Sequence, residues 1–161
     1  MREARLSRDE YLMDIASVVA ARSTCDRLQV GAVIARQGRV LATGYNGAPS
    51  GMPHCDHSCT CPTRGSSGKM VIRLVPDHHE PLCPAGPCNN TVHAEANAIV
   101  FAAKYGMPTD HAELYVTHAP CIICARLIIN AGIMGVVYSV DYRDPAGVNL
   151  LIAAAIPTQR I

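Results

Sequence analysis

Two separate segments of the chain hold side chains whose types and spacing suit metal-assisted chemistry. Cys121 and Cys124 lie three residues apart at the start of an apolar helical pattern, so both sulfurs can point the same way from its first turn. Pro120 suits the entry to that helix, because its missing N–H and fixed φ cost nothing there. The helix N-terminus favours the thiolate, which is the form that binds a metal ion. His93 can complete a three-ligand set and leave a fourth tetrahedral position for water.

Glu95 lies two residues after His93 and is the candidate proton carrier. Two thiolates already cancel the charge of a zinc ion, so a further anionic ligand would weaken its Lewis acidity. A carboxylate outside the ligand set can instead take a proton from water and deliver it to a ring nitrogen and a leaving amine. Zinc lowers the pKa of its water to about 7, which suits hydrolysis at neutral pH. The alternatives are a buried polar cluster or a purely structural zinc.

Composition narrows the class of protein. A chain of 161 residues fits one domain, and 49% apolar with 17% charged residues is typical of a soluble protein without a membrane span. The start of the chain is charged and lacks an apolar core, so we expect a cytosolic protein. Eight cysteines then indicate metal ligands rather than disulfides. A net charge of +1 implies no large electrostatic footprint for a nucleic-acid polymer, although one or two local cations can hold a small phosphate.

Periodicity and turn residues predict the elements that position these side chains. Helices are expected at about 8–22, 93–105, 121–130 and 146–154, and strands at about 30–35, 40–45, 69–75, 113–118 and 136–140, with a tail that can add an edge strand. A hairpin followed by alternating strands and helices predicts a mixed sheet sandwiched between helices, with sites beyond the carboxyl ends of strands.

Four local signals refine these predictions. Ser7 is the expected N-cap of the first helix, and Gly132 is the expected end of the third. Gln37-Gly38 is expected to close a hairpin. The run Gly44-Tyr-Asn-Gly suits positive φ and close backbone approach.

At the level of motifs, the chain resembles the deoxycytidylate (dCMP) deaminase family of the cytidine deaminase superfamily, including its late-competence-operon relatives. The zinc residues match the signature H-x-E…P-C-x-x-C of zinc nucleobase deaminases. The resemblance runs through Arg22-Ser-Thr-Cys, Gln29-Val-Gly-Ala-Val-Ile, Gly44-Tyr-Asn-Gly, His93-Ala-Glu-Ala-Asn-Ala-Ile, Tyr115-Val-Thr-His-Ala-Pro-Cys-Ile-Ile-Cys-Ala, Ile129-Asn-Ala-Gly-Ile and Asp141-Tyr142. The Gly-Tyr-Asn-Gly turn, Asn97 and the Asn130-Ala-Gly-Ile run narrow it to the nucleotide branch.

The resemblance implies an α/β fold, a three-layer α-β-α sandwich with a mixed five-stranded sheet in a single domain over 1–161. It implies hydrolytic deamination of dCMP to dUMP and ammonia, which supplies dUMP for dTMP synthesis, with Glu95 as the proton shuttle. By the same resemblance, Asn46 contacts the sugar or phosphate, the Ala94 backbone the base, and Tyr142 the phosphate end. The alternatives are a turn role for Asn46 and an ordinary packing role for Tyr142.

A second, structural zinc follows from the same resemblance, because several relatives carry one at corresponding places. The ligands it implies are Cys25, Cys55, Cys88 and Cys59, with Cys61, Cys83 or His54 as alternatives for the fourth position. Such a site would staple a Cys/His-rich insertion at about 48–90, whose segment 62–87 lengthens the chain relative to shorter relatives. Ordinary buried thiols are the alternative. Six histidines lack a motif of their own, and a solvated loop position is expected for most of them: His54, His57, His78, His79, His111 and His118.

The family resemblance also has implications for oligomeric state and regulation. They imply a homo-oligomer, often a hexamer, and regulation by dCTP and dTTP near the Gly-Tyr-Asn-Gly turn, with Mg2+ as a companion of the allosteric nucleotide. Competing functions are a deaminase of dCTP or 5-modified dCMP, a tRNA or nucleic-acid-editing deaminase, and a non-enzymatic zinc-stabilised regulatory or DNA-uptake-associated module. A single Phe and no Trp disfavour polymer binding, and an intact Glu95 disfavours the non-enzymatic function.

Overall fold

The computed structural model describes residues 5–25, 28–52, 54, 61–64, 70–73 and 91–161. Its elements are α1 (Arg8–Ala20), β1 (Gly31–Arg36), β2 (Arg39–Tyr45), β3 (Cys61–Arg64), β4 (Met70–Arg73), α2 (Ala94–Lys104), β5 (Glu113–His118), α3 (Ile122–Asn130), β6 (Gly135–Val140), α4 (Ala146–Ala153) and β7 (Thr158–Arg160). The helices and strands expected from periodicity are all present, within a few residues of their predicted bounds.

A five-stranded sheet in the order β2-β1-β5-β6-β7 forms the centre of the fold. β1 is antiparallel to both β2 and β5, whereas β5, β6 and β7 run parallel. The predicted mixed five-stranded sheet is therefore confirmed, and the tail adds the expected edge strand. A separate antiparallel pair is formed by β3 and β4. The periodicity predicted β4 but not β3, because Cys-Pro-Thr-Arg lacks a run of apolar or β-branched residues.

Helices cover both faces of this sheet. On one face α1 buries its apolar stripe against the sheet in a cluster of Leu12, Met13, Ala16, Val33, Ala35, Tyr115 and Val137. On the other face α2, α3 and α4 share a larger core with the strands, in which many small alanines, such as Ala94, Ala98 and Ala102, bring α2 close to the sheet. The result is the three-layer α-β-α sandwich expected from the sequence.

Local signals explain where the elements begin and end. Ser7 caps α1 in a reciprocal capping box with Glu10, as the sequence predicted for the cap. Gln37 and Gly38 turn the β1–β2 hairpin with positive φ at both residues. Gly132 ends α3 with a φ of 70°.

The Gly-Tyr-Asn-Gly run differs from expectation in one respect. Neither Gly44, Asn46 nor Gly47 has a positive φ, so the prediction of a left-handed turn is wrong. The run instead leaves β2 in extended backbone, and Gly47 pairs with Val92 in an antiparallel bridge. The prediction of close backbone approach at Gly44 is correct, and it matters at the site described below.

The part of the chain that the structure describes contains no helix long and apolar enough to cross a membrane. The single-domain organisation and the cytosolic location remain predictions.

Candidate metal centre and its cavity

The N-terminus of α2 carries the first half of the site. His93 is the N-cap of α2, and Glu95 lies in the first turn. The helix can sit tightly on β2 because Gly44 has no side chain: a Cβ there would lie 2.3 Å from a backbone carbonyl oxygen of α2. The Asn97 side-chain amide donates to the Tyr45 carbonyl oxygen at 2.7 Å and so stabilises the contact between α2 and β2. Asn97, which carried part of the family resemblance, thus holds the helix in place.

The second half of the site lies at the start of α3, directly beyond the carboxyl end of β5. Cys121 is the N-cap of α3 and Cys124 lies in its first turn. Pro120 directly precedes the cap, at the entry to the helix where the sequence placed it. The Cys121 loop packs against α4, where a Cβ on Gly147 would lie 2.0 Å from the Pro120 carbonyl oxygen. Two glycines therefore permit the backbone contacts that position the two halves.

These two helix starts bring one imidazole and two sulfurs together. The His93 Nδ1 atom lies 3.5 Å from the Cys121 Sγ atom and 3.4 Å from the Cys124 Sγ atom. All three ligand atoms lie within 4.8 Å of one another. Zinc bonds of about 2.3 Å to sulfur and about 2.0 Å to nitrogen, at a tetrahedral angle, would place S and N about 3.5 Å apart. The observed spacing therefore fits a tetrahedral zinc ion with one position left over.

The charges of the three groups are coupled. A hydrogen bond from the Cys124 thiol, supported by His93, lowers the pKa of Cys121 to about 3. The same hydrogen bond raises the pKa of Cys124, because its proton is held between the sulfurs. The bond to Cys121 raises the pKa of His93 above its ordinary value. One thiolate is thus already present at neutral pH, as metal binding requires.

Glu95 is a buried carboxyl group beside these ligands. Its side chain is 4% exposed, and burial raises its pKa to about 7. A hydrogen bond with Cys124 partly offsets the effect of burial. A carboxyl group with a pKa near neutral pH can both accept and donate a proton, which is the property that general acid–base catalysis requires.

A cavity opens onto the metal-ligating group, and the described residues that line it are Cys25, Leu28, Val30, Asn46, Thr91, His93, Ala94, Glu95, His118, Ala119, Cys121 and Tyr142. The predicted substrate contacts Asn46, Ala94 and Tyr142 thus line the same cavity as Glu95 and two of the metal ligands. None of the described lining residues is a lysine or an arginine. Their roles toward a ligand remain predictions.

Asn46 is both a structural hub and a candidate ligand contact. Its Oδ1 atom accepts hydrogen bonds from the Ser23 hydroxyl at 2.7 Å and from the Val30 amide at 2.8 Å. Its Nδ2 atom donates to the Leu28 carbonyl oxygen at 2.6 Å. Asn46 therefore has a structural role, although not in a left-handed turn, and one of its side-chain N–H groups has no partner among the described residues.

Tyr142 lies half-buried in the cavity wall and also packs against the larger core. The Arg143 guanidinium stands over its ring, 5.7 Å from the ring centroid. Tyr142 therefore has the packing role that was its alternative. A cation also lies beside this residue, to which the family resemblance assigned the phosphate end.

Few of the predicted ligands of the second zinc lie among the described residues. Cys25 is 6% exposed and lines the cavity, whereas His54 is exposed. Only the backbone of Cys61, within β3, is described, and the other predicted or alternative ligands, Cys55, Cys59, Cys83 and Cys88, lie outside the described residues. The second zinc therefore remains a prediction.

Sequence reasoning missed three features of this site. His118 is the last residue of β5, as the predicted strand bounds imply, but its place in the cavity wall was not predicted. Its place two residues before the Pro-Cys pair was a usable signal, because β5 must point its carboxyl end at the metal ligands. Arg143 was also missed, as was the close approach of Gly147 to the Cys121 loop.

The three-layer fold, the His/Cys/Cys group and the adjacent buried carboxyl group together define a zinc-dependent hydrolase of the deaminase class. The chain belongs to the cytidine and deoxycytidylate deaminase family, because residues 6–140 match the family's zinc-binding region. It is 40% identical over 159 residues to ComE operon protein 2 of Bacillus subtilis (strain 168), covering 98% of this chain and 72% of that protein.

Two further relatives are named for their reaction. The chain is 43% identical over 130 residues to the deoxycytidylate deaminase of Mycobacterium phage D29, covering 81% of this chain and 92% of that one. Its fold is similar to that of the dCMP deaminase from cyanophage S-TIM5, whose crystal structure is a complex with dCMP and dUMP. The TM-score is 0.74 at 29% identity, and the match covers 99% of this chain and 100% of that one.

Proposed function

We propose that this protein catalyses the zinc-dependent hydrolytic deamination of dCMP to dUMP and ammonia. The observation that carries the proposal is the group of His93, Cys121 and Cys124, whose ligand atoms lie within 4.8 Å of one another beside the buried Glu95. The relatives named deoxycytidylate deaminase, and the similar structure crystallised with dCMP and dUMP, support dCMP as the substrate.

A zinc ion held by these three residues supplies Lewis acidity that lowers the pKa of a water molecule to about 7. Glu95 takes one proton from the attacking water and passes it to the pyrimidine N3 atom as the bond from oxygen to C4 forms. Glu95 then moves a second proton to the amine as the C4–N bond breaks and ammonia leaves. A buried carboxyl group with a pKa near 7 suits both transfers.

The cavity wall supports a mononucleotide orientation. The Ala94 backbone lies at the start of α2, beside the metal ligand His93, where a base would sit. The second side-chain N–H of Asn46 can donate to the sugar or phosphate, and Tyr142, with the Arg143 guanidinium over its ring, can contact the phosphate end. These three contacts are part of the proposal.

Turnover of a nucleotide panel tests the proposal. Purified protein is incubated with dCMP, CMP, dCTP, 5-methyl-dCMP and deoxycytidine, and ammonia or the absorbance change is followed. We expect the highest kcat/KM with dCMP. A preference for dCTP or a 5-modified nucleotide would identify that nucleotide as the substrate instead of dCMP. No turnover of any monomer would refute the proposal and favour an editing or non-enzymatic function.

Glu95→Gln tests the proton carrier. The carboxamide is close in size but cannot carry the proton, so we expect zinc content to stay at the wild-type value and kcat to fall by roughly 10²–10⁴-fold. Glu10→Gln, the same exchange on the exposed surface of α1, is the matched control. Wild-type turnover in Glu95→Gln would remove Glu95 from the mechanism.

A second zinc and nucleotide regulation extend the proposal. The burial of Cys25 beside the cavity supports a structural zinc shared with Cys55, Cys88 and Cys59. Metal analysis is expected to give two zinc ions per chain, falling to one in Cys25→Ser, and one zinc in the wild-type protein would contradict this. Regulation by dCTP and dTTP, with Mg2+, should appear as a shift of the dCMP saturation curve when either nucleotide is added.

A homo-oligomer is the remaining part of the proposal. The outer surface of the helical layer exposes several large apolar side chains: Val100, Phe101 and Tyr105 on or just after α2, Ile123 on α3 and Ile152 on α4. Exposed apolar surface of this kind is typical of subunit interfaces. Light scattering should show an assembly that Phe101→Asp dissociates and that Val18→Asp, on the exposed surface of α1, leaves intact.

A further inference from the structure

His118 occupies a position in the cavity that the mechanism above does not use. It ends β5 and lines the cavity together with Glu95 and Cys121. Its Nδ1 atom lies 3.1 Å from the Thr117 Oγ1 atom. Among the described residues its Nε2 atom has no hydrogen-bond partner. Nε2 is not a fully buried atom, and its ring belongs to the cavity wall, so Nε2 is accessible to a ligand.

The neighbouring hydroxyl determines which nitrogen carries the proton. Thr117 Oγ1 already accepts a hydrogen bond from the Gly31 amide at 3.2 Å. If the His118 Nδ1 atom also donated to Thr117, the hydroxyl hydrogen would have no acceptor among the described residues. This favours donation from the hydroxyl to Nδ1, which leaves the hydrogen of a neutral ring on Nε2.

The geometry points to His118 as a specificity-determining residue whose Nε2–H donates a hydrogen bond to an uncharged oxygen of the cytosine nucleoside, either the base carbonyl or a sugar oxygen. This inference rests on the proposed function, because it concerns the substrate of that same site. The hydrogen bond between Nδ1 and the Thr117 hydroxyl fixes the orientation of the ring. The Nε2–H donor is therefore positioned before a substrate binds.

An uncharged acceptor suits the charge of the ring. Burial lowers the pKa of His118, so the imidazole is neutral at pH 7. A phosphate would instead favour an imidazolium. None of the described lining residues is a lysine or an arginine that would hold a phosphate beside His118, and the Arg143 guanidinium lies over the Tyr142 ring.

Three substitutions at His118 separate a donor role from a structural one. The amide nitrogen of Gln reaches the place of Nε2, whereas that of Asn reaches only the place of Nδ1, and Leu offers no donor. We expect His118→Gln to stay near wild-type kcat/KM for dCMP, and His118→Asn and His118→Leu to fall on the order of tenfold. Zinc content and the thermal midpoint are measured on each variant, so that a loss through misfolding is recognised.

The opposite order would overturn the inference. If Asn keeps the wild-type kcat/KM while Gln loses it, the ring acts through Nδ1 and Thr117 and has only a structural role. Equal activity in all three variants would also refute it.

Two further measurements separate this inference from the proposed function. If the wild-type protein deaminates no cytosine nucleotide, the proposed function fails before His118 is tested. If it does, the variants are repeated with deoxycytidine. A loss of the same factor with deoxycytidine and dCMP supports a nucleoside oxygen, whereas a loss confined to dCMP assigns the contact to phosphate and contradicts the inference.

Discussion

Gly147→Ala should damage the metal centre although the residue touches neither metal nor substrate. The added Cβ would lie 2.0 Å from the Pro120 carbonyl oxygen and 2.7 Å from the Cys121 carbonyl carbon. Real Cβ atoms do not approach heavy atoms closer than 3.0 Å, so the two backbones must separate by at least 3.0 − 2.0 = 1.0 Å. Part of that shift falls on the residue that caps α3 and supplies a ligand sulfur.

The magnitude follows from the shift. Displacements of about 1 Å in catalytic geometry can cost on the order of 10²-fold in rate, and we expect a loss of that size in kcat/KM. Stability should change less. Overpacking costs about 1–3 kcal/mol, while Ala stabilises a helix by about 1 kcal/mol over Gly, so the two effects partly cancel. Gly147→Ala should therefore remain folded while losing activity.

The assay compares Gly147→Ala with Gly135→Ala, a matched exchange in β6. There the new Cβ would meet only the Glu113 Cγ atom at 3.7 Å and the Pro157 carbonyl oxygen at 4.0 Å, which are ordinary contacts. Turnover of dCMP, zinc retention against a chelator and urea unfolding are measured on both. If Gly147→Ala matches Gly135→Ala in turnover and zinc retention, α4 does not position the ligand loop and the reasoning is refuted.

Three other substitutions test single contacts. Gly44→Ala would press a Cβ against the α2 backbone and should lower zinc retention in the same chelator assay. Tyr115→Phe removes the hydroxyl that donates to Asp9 at 2.8 Å, and urea unfolding should show a loss of about 0.5–1.5 kcal/mol. The Ser7 hydrogen bonds lower the pKa of Glu10 below its ordinary 4.5, so the carboxylate's contribution is present above that value and lost as the pH falls through the lowered pKa. Glu10→Gln should accordingly lower the thermal midpoint at pH 7, and its difference from the wild-type protein should shrink as the pH is lowered.

The fold was largely predictable because its elements are locally encoded. Apolar periodicity locates the helices and strands. Ser7 marks the start of α1, and Gly132 marks the end of α3. The alternation of strands and helices after a hairpin indicates the layers. The exceptions have physical causes. β3 lacks the apolar or β-branched run that marks a strand. Gly44 was predicted to combine a positive φ with a close backbone approach, and only the close approach is present. Its value is the absence of a side chain rather than access to positive φ.

The candidate site was predictable where a motif carries the chemistry and not where packing does. His93, Glu95, Cys121 and Cys124 are recognisable from residue type and spacing, and the structure brings them together. No role in the site was predicted for His118, because it is not part of the zinc signature, although it ends the strand that leads to Cys121. The contact of Gly147 with that loop joins segments that are distant in sequence, and nothing in the local sequence of α4 indicates it.

The metal ligands come from two helix starts that are 28 residues apart in the chain. A zinc ion bound there would close a covalent-like loop that contains all of α2 and β5, and β5 is the middle strand of the sheet. Opening either helix start would remove a ligand, so the two starts should open as one cooperative unit when zinc is bound and independently when it is removed. Amide hydrogen exchange should show this directly, with protection at the first turns of α2 and α3 rising together on addition of zinc.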